Sequence, residues 1–324
     1  MFRYILFVGS IFLLFGCGQE STIKELKLAH GLDVTHPVHK GIVDFARRVE
    51  EKSGGNLTVR IYPNGQLGNE RECLELLQIG SVAITKVSAA VMENFVPSYR
   101  VLGLPYLFRD GDHLFDVLEG PIGEDLLEQG GRFRLRGLCF YDAGSRSFYT
   151  KDVPVNSPED LDGLKLRVMK SNTAVNMVTA LGGSPTPISF GELYTALQQG
   201  VVDGAENNPP SFYSARHYEV CKYYSLDEHT MVPDVLLIST EWWDRLSEEE
   251  KTWVTEAARE SVSYQRQVWA ESVQESLKKV QEAGVEIIYP DKEKFSREVM
   301  SIHESYRDQP ELYKMITDIK KTGL

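Results

Sequence analysis

The chain has 324 residues, 42% of them hydrophobic and 10% aromatic, which suits one large or two medium globular domains and excludes a disordered or fibrous protein. Its formal net charge of -12 argues against a nucleic-acid partner, because a phosphate-binding surface needs the surplus of Lys and Arg that this chain lacks. Any anionic ligand has to be met by local positive charge.

The first residues read as a targeting segment. Arg3 precedes an apolar run over residues 4–15, too short to span a bilayer. The run ends in Leu14-Phe15-Gly16-Cys17, which resembles a bacterial lipobox. On that reading residues 1–17 form a signal peptide with its lipobox, Cys17 is acylated, and a lipid tethers the exported chain to a membrane without insertion. Phe15 is bulkier than usual there, and a plain secretory signal cut near Gly18 is the alternative. Cys73, Cys139 and Cys221 have no CxxC spacing, so they indicate neither a disulfide framework nor zinc and read as small buried apolar residues.

Downstream, a strand is expected over 26–30, a helix over 38–52 with Ile42, Phe45, Ala46 and Val49 on one face, and a strand over 57–62. Pro63-Asn64-Gly65 then turns the chain into a helix over 70–79. This alternation predicts an α/β fold with a mostly parallel sheet covered by helices. A second block begins near Gly144, with a strand over 164–168, helices over 172–181 and 191–199, and a strand over 201–203. Two blocks imply two domains, and with no Pro/Gly/Ser-rich linker between them the connections should be strands that cross directly. Residues 247–283 contain neither Pro nor Gly and open with Ser247 and Glu250 in capping-box spacing, which predicts one helix long enough to span both domains. Its apolar stripe comprises Val262, Val268, Trp269, Val273, Leu277 and Val280; the rival reading, a coiled-coil partner, lacks a strict heptad.

Motifs for nucleophilic, zinc-peptidase, dinucleotide and P-loop chemistry are missing from the sequence. His30, His36 and His39 cluster, but their spacing fits no common metal motif and favours surface or pocket-edge histidines. Neither a metal nor another cofactor is expected.

The most informative segments are Gly144-Ser145-Arg146-Ser147-Phe148-Tyr149 and Asp162-Gly163-Leu164-Lys165-Leu166-Arg167-Val168-Met169, followed by Leu181-Gly182-Gly183-Ser184-Pro185-Thr186-Pro187, the run from Phe190 to Gly200, and Val202-Asp203-Gly204-Ala205-Glu206-Asn207-Asn208-Pro209. With Gln66-Leu67-Gly68 and Leu104-Pro105-Tyr106-Leu107-Phe108 upstream, they resemble the solute-binding proteins of tripartite ATP-independent periplasmic (TRAP) transporters, the DctP family, along essentially the whole mature chain. The resemblance implies a two-domain periplasmic-binding-protein-like fold with a cleft between domains, crossing strands as a hinge, and a long helix across both. It divides the chain into 24–143 plus 233–272 and 144–232 plus 273–324. It also implies an exported, monomeric protein without enzymatic activity that hands a small organic carboxylate to transporter membrane subunits.

Arg167 matches the family's selectivity arginine, which takes the ligand carboxylate through two hydrogen bonds. Physical chemistry agrees: among Leu164, Leu166 and Val168 a buried cation is costly unless an anion satisfies it, whether a ligand or an internal acid such as Asp203 or Glu206. Arg146 matches a second pocket arginine, Asn207 a pocket asparagine offering donor and acceptor, and Phe190 an aromatic that packs on the ligand. For these, plain core (Phe190) and a turn before Pro209 (Asn207) are the alternatives. Glu70 matches an acid that accepts from ligand hydroxyls, with helix capping as its alternative. His30, Lys86, Ser88, Glu206 and Phe212 are further candidates by position. The motifs around Arg146 and Asn207, with residues 225–230, resemble the branch that binds hexuronates such as glucuronate and galacturonate. A sialic acid or another carboxylate is the alternative ligand. From a different class, an enzyme acting on a sugar acid would use Glu70 or His30 as general base.

Overall fold

The computed structural model describes residues 23–323, so the signal peptide and lipobox with Cys17 lie outside the described residues. Strands β1 (Lys24–Ala29), β2 (Leu57–Tyr62), β3 (Ile84–Ser88) and β4 (Leu135–Tyr141) are followed by β5 (Arg146–Thr150), β6 (Lys165–Val168), β7 (Ser184–Pro187) and β8 (Gly204–Asn207). The last three are β9 (Tyr223–Thr230), β10 (Asp234–Ser239) and β11 (Glu286–Ile288). They form two sheets, one ordered β2-β1-β3-β10-β4 and the other β11-β9-β5-β8-β6-β7, each the centre of one domain of a mixed α/β fold.

The alternating blocks produce parallel pairs as expected: β1 with β2 and β3, and β6 with β7 and β8. The sheets are nevertheless mixed, because β10 runs antiparallel to β3 and β4, and β5 runs antiparallel to β8 and β9. These are the strands that lead into and out of the crossings. β4 passes directly to β5 through 142–145, and β9 passes back to β10 through 231–233. A chain that enters the second domain and returns along a neighbouring path must run in opposite directions there, which an expectation built on βαβ units alone does not include.

One expected strand is displaced. Residues 201–203 turn, with Val201 exposed, and pairing begins at Gly204. A Cβ on Gly204 would fall 2.4 Å from the Tyr149 carbonyl oxygen, so the close approach of β8 to β5 requires glycine there. The expected helices appear as Pro37–Lys52, Glu70–Gln78, Asn172–Ala180 and Phe190–Gln198. All three cysteines within the described residues are buried and free.

The long helix is Glu248–Glu282, 35 residues and about 52 Å at ~1.5 Å per residue. Ser247 and Glu250 close its capping box. It packs on Pro37–Lys52 in the first domain and on Pro209–Ser214 in the second. Its buried face includes Val262, Trp269 and Val280, but also Ala257, Ala258, Ser261 and Gln265, while Val268, Val273 and Leu277 are half-buried. Gln265 donates from Nε2 to the Asp142 carbonyl and accepts from the Asp142 amide, both at 2.8 Å, which pins the long helix to the β4–β5 crossing. Gly144 in that crossing has φ +57, and a Cβ there would meet the Trp269 indole nitrogen at 2.8 Å. Two restrictions, left-handed backbone and helix contact, make glycine necessary at this corner.

The division of the chain needs one amendment. The terminal helix Pro310–Lys321, expected in the second domain, is bonded to the first: His113 Nε2 lies 2.9 Å from the Ile319 carbonyl, and Arg109 donates to the carbonyls of Lys320 and Thr322. No helix among the described residues is long and apolar enough to cross a membrane.

Candidate functional site

A cavity of about 440 Å³ lies between the two sheets, lined from the first domain by His36, Glu70, Lys86, Ser88 and Asp234 and from the second by Arg146, Arg167, Phe190, Asn207 and Ser211. The short strand β6 positions Arg167 by alternation. Leu166 and Val168 point into the second-domain core at 0% exposure, which turns Arg167 to the opposite, cavity face. The residue is 2% exposed; Nε donates to the Ile188 carbonyl at 2.8 Å, and the buried Nη1 has no hydrogen-bond partner among the described residues. Neither acid proposed from the sequence claims it, since Asp203 Oδ2 accepts from the Lys165 amide and Glu206 bonds Arg146. Burial pulls the Arg167 pKa below its usual range, with the field of Glu206 opposing it. Phe190 lies beside the group, its ring centroid 6.0 Å from the guanidinium carbon. A desolvated cation facing a cavity, without an acid of its own, is an anion receptor.

Arg146, on β5, has the opposite surroundings. Its Nε donates to Glu206 Oε2 at 2.5 Å, Nη2 to Glu206 Oε1 at 2.9 Å and to the Glu206 carbonyl at 2.8 Å, and Nη1 to Asn207 Oδ1 at 2.8 Å. Burial alone would raise the Glu206 pKa, but Arg146 and His229 outweigh it and hold the acid at about 2. His229 in turn sits 2.8 Å from Asp227 and 3.6 Å from Glu206; burial would lower its pKa, yet the two carboxylates raise it to about 9. The network closes on itself, and Arg146, expected as a second pocket arginine, lines the cavity with one N–H of Nη1 to spare. Its effect on Asn207 is larger. Because arginine only donates, Arg146 fixes Oδ1 of Asn207 as the atom facing it, and the Asn208 amide takes the same oxygen at 2.9 Å. Asn207 therefore presents Nδ2 to the cavity, a donor only, where the sequence allowed both.

Asn69 caps the helix Glu70–Gln78 in a capping box with Glu72, which frees Glu70 from that task. Glu70 Oε1 instead accepts from Lys86 Nζ and from the Ser88 amide, both at 3.1 Å. Lys86 Nζ also lies 3.1 Å from Asp234 Oδ1. Glu70, Lys86 and Ser88 thus come together on the first-domain wall.

Three candidates stand behind the cavity instead of lining it. His30 is bonded through Nε2 to His39 at 3.0 Å and through Nδ1 to the Leu32 amide, and burial with the nearby Lys86 depresses its pKa to about 3. Glu206 is enclosed by Arg146 and His229, and Phe212 is core, its ring 4.6 Å from Tyr149 and 4.7 Å from Tyr224. His30 is therefore also removed as a general base. Three of these lining residues, Asp234, His36 and Ser211, were absent from the site drawn from the sequence. Asp234 is an acid opening the buried apolar strand β10, the same kind of signal that singled out Arg167. His36, weighed as a metal ligand and as a surface or pocket-edge histidine, lines the cavity. Its Nδ1 accepts from the Val38 amide as a helix cap, so Nε2 carries the proton and donates across the cleft to Ser211 Oγ at 3.1 Å.

The sequence profile of the bacterial extracellular solute-binding proteins of family 7, DctP, matches residues 28–309. The chain belongs to that family. A solute-binding protein of Chromohalobacter salexigens is 37% identical over 288 residues, 88% of this chain and 86% of that protein. Among solved structures, a TRAP periplasmic solute-binding protein of Xanthobacter autotrophicus with bound β-D-galacturonate is 38% identical, with a TM-score of 0.89 over 92% of this chain and 99% of that one. A counterpart from C. salexigens with bound D-glucuronate is 35% identical, again with a TM-score of 0.89, covering 92% of this chain and 99% of the other. This DctP protein is thus the solute-binding component of a TRAP transporter, from an extracellular family whose members bind solutes.

Proposed function

We propose that this DctP protein captures a hexuronate, D-galacturonate or D-glucuronate, between its two domains and delivers it to the TRAP membrane subunits without transforming it. The observation that carries the reading is the buried, acid-free guanidinium of Arg167 on the cavity wall. The ligand carboxylate takes its two terminal nitrogens, Asn207 Nδ2 donates to the same end, and Phe190 covers an apolar face of the sugar ring. Glu70, Lys86 and Ser88 address the hydroxyls from the opposite domain. The relatives solved with galacturonate and glucuronate support the same ligand class. Ligand first meets one domain, and rotation about the crossings at 142–145 and 231–233 brings the other onto it. Micromolar affinity corresponds to about 8 kcal/mol, within reach of one charged pair, several neutral hydrogen bonds and ring packing after closure. The protein works as a monomer held to the membrane by acylated Cys17; Cys17→Ser should move it from the detergent to the aqueous phase.

Isothermal titration of the purified protein with D-galacturonate, D-glucuronate and N-acetylneuraminate tests the ligand. Micromolar binding of at least one hexuronate, with the sialic acid weaker, is expected. Tighter binding of the sialic acid, or a uronate consumed during the titration, would contradict the proposal.

A further inference from the structure

Counting charges around the cavity leaves two that are not matched. On the second domain, Arg146 and His229 balance Glu206 and Asp227, and Arg167 remains as one positive charge. On the first domain, the single ammonium of Lys86 lies between two carboxylates, 3.1 Å from each, so one negative charge remains. His30 and His36 do not offset it, because burial holds both imidazoles neutral. The rim charges Arg71, Glu72, Lys170 and Glu192 are exposed and screened by solvent. The closed site is therefore dipolar, positive at Arg167 and negative at Asp234 with Glu70.

The negative end is also chemically selective. Oε1 of Glu70 and Oδ1 of Asp234 are engaged with Lys86, while the second oxygen of each accepts from no group among the described residues. Side chains of Lys86 and Asp234 are 2% and 9% exposed, so neither charge is relieved by bulk water. A hydroxyl fits such a surface because it donates to a free carboxylate oxygen and accepts from the ammonium at once. A carboxylate would face two like charges in a closed space and be repelled.

We propose that Asp234 determines the ligand class: with Glu70 it leaves an uncompensated negative charge that admits hydroxyls and rejects a second carboxylate, so the site takes sugar monoacids and excludes aldaric acids and short dicarboxylates. This rests on the hexuronate reading above and adds the residue that bars the diacids. An acid placed opposite two carboxylates loses at least about a hundredfold in affinity.

The test is isothermal titration of the whole exported chain with D-galacturonate, with succinate, and with D-galactonate and galactarate. The last two are open-chain acids that differ in carrying a hydroxymethyl or a carboxylate at the far end. The wild type is expected to bind galacturonate and to bind galactarate at least about a hundredfold more weakly. Asp234→Asn removes the surplus charge and should raise galactarate affinity about tenfold or more; Glu70→Gln, which removes the other carboxylate, should do the same. Melting temperatures show which variants fold, and Glu70→Gln decides if Asp234→Asn does not. Galactarate or succinate binding to the wild type as tightly as galacturonate overturns the proposal, as does the absence of any gain in folded variants. A wild type that binds no hexuronate overturns the ligand reading itself, whereas one that binds hexuronates and diacids alike leaves that reading standing and removes only the role of Asp234.

Discussion

Arg146 and Arg167 stand on strands β5 and β6, either side of β8 in one sheet, and both are almost fully buried. Arg146 meets a protein carboxylate through two of its nitrogens, so its desolvation is offset within the fold. Arg167 has one backbone carbonyl, the Phe190 ring and a terminal nitrogen that meets no partner among the described residues, so no carboxylate of the fold is bonded to it. On the proposed reading one arginine aims Asn207 and the other receives the ligand. Residue type and burial are the same in both; the neighbouring acid decides the role.

Removing each side chain in turn should separate these roles most sharply in stability. Arg146→Ala leaves the buried Glu206 with His229 alone, 3.6 Å away and shared with Asp227, and should cost about 3–5 kcal/mol in urea unfolding without ligand. Arg167→Ala strands no acid and should change stability by less than about 1 kcal/mol. Equal losses in the two variants would erase the distinction.

Acid and base should divide them next. The Glu206 pKa of about 2 in the fold lies below its ordinary value of 4.5, so its contribution is present above pH 4.5 and is lost as pH falls toward 2. The His229 pKa of about 9 lies above 6.5, so its contribution is present below pH 6.5 and is lost as pH rises through 9. Both act fully between pH 4.5 and 6.5, and each limb is on the order of 3 kcal/mol at most. Unfolding measured across pH should show both limbs in the wild type and in Arg167→Ala, and a flattened acid limb in Arg146→Ala. A flat profile in the wild type would mean that the network carries little of the fold's stability.

Smaller effects concern binding. Arg167→Lys keeps the charge but loses the planar two-point fit, and should weaken hexuronate binding by about 1–2 kcal/mol in calorimetry. Asn207→Ala removes one neutral donor and should cost about 1 kcal/mol. If Asn207→Ala proved the more damaging of the two, the carboxylate would rest on the amide instead of the guanidinium.

The sequence made some of this legible for clear reasons. Periodicity placed five of the helices and the strands β1, β2 and β6, and an arginine between Leu166 and Val168 announced a buried cation. The crossings hid the antiparallel strands, because direction is set by where the chain must return and not by local pattern. The strand expected over 201–203 begins instead at Gly204, because the closeness of β8 to β5 is visible only in three dimensions. The pairing of Arg146 with Glu206, 60 residues apart, left the second arginine looking free. Phe212 carried a ligand expectation by position, whereas the aromatic cluster with Tyr149 and Tyr224 accounts for it completely. Asp234 was missed although its pattern, a charge opening an apolar strand, was the one used for Arg167.

The central claim is that the guanidinium at position 167 receives the carboxylate of a guest. Titrating D-galacturonate into the wild type and Arg167→Ala, with both melting temperatures recorded, tests it most directly. The expected result is micromolar binding by the wild type and a loss of at least about a hundredfold in a variant that melts near the wild-type temperature. Retained affinity in a folded Arg167→Ala protein would contradict it.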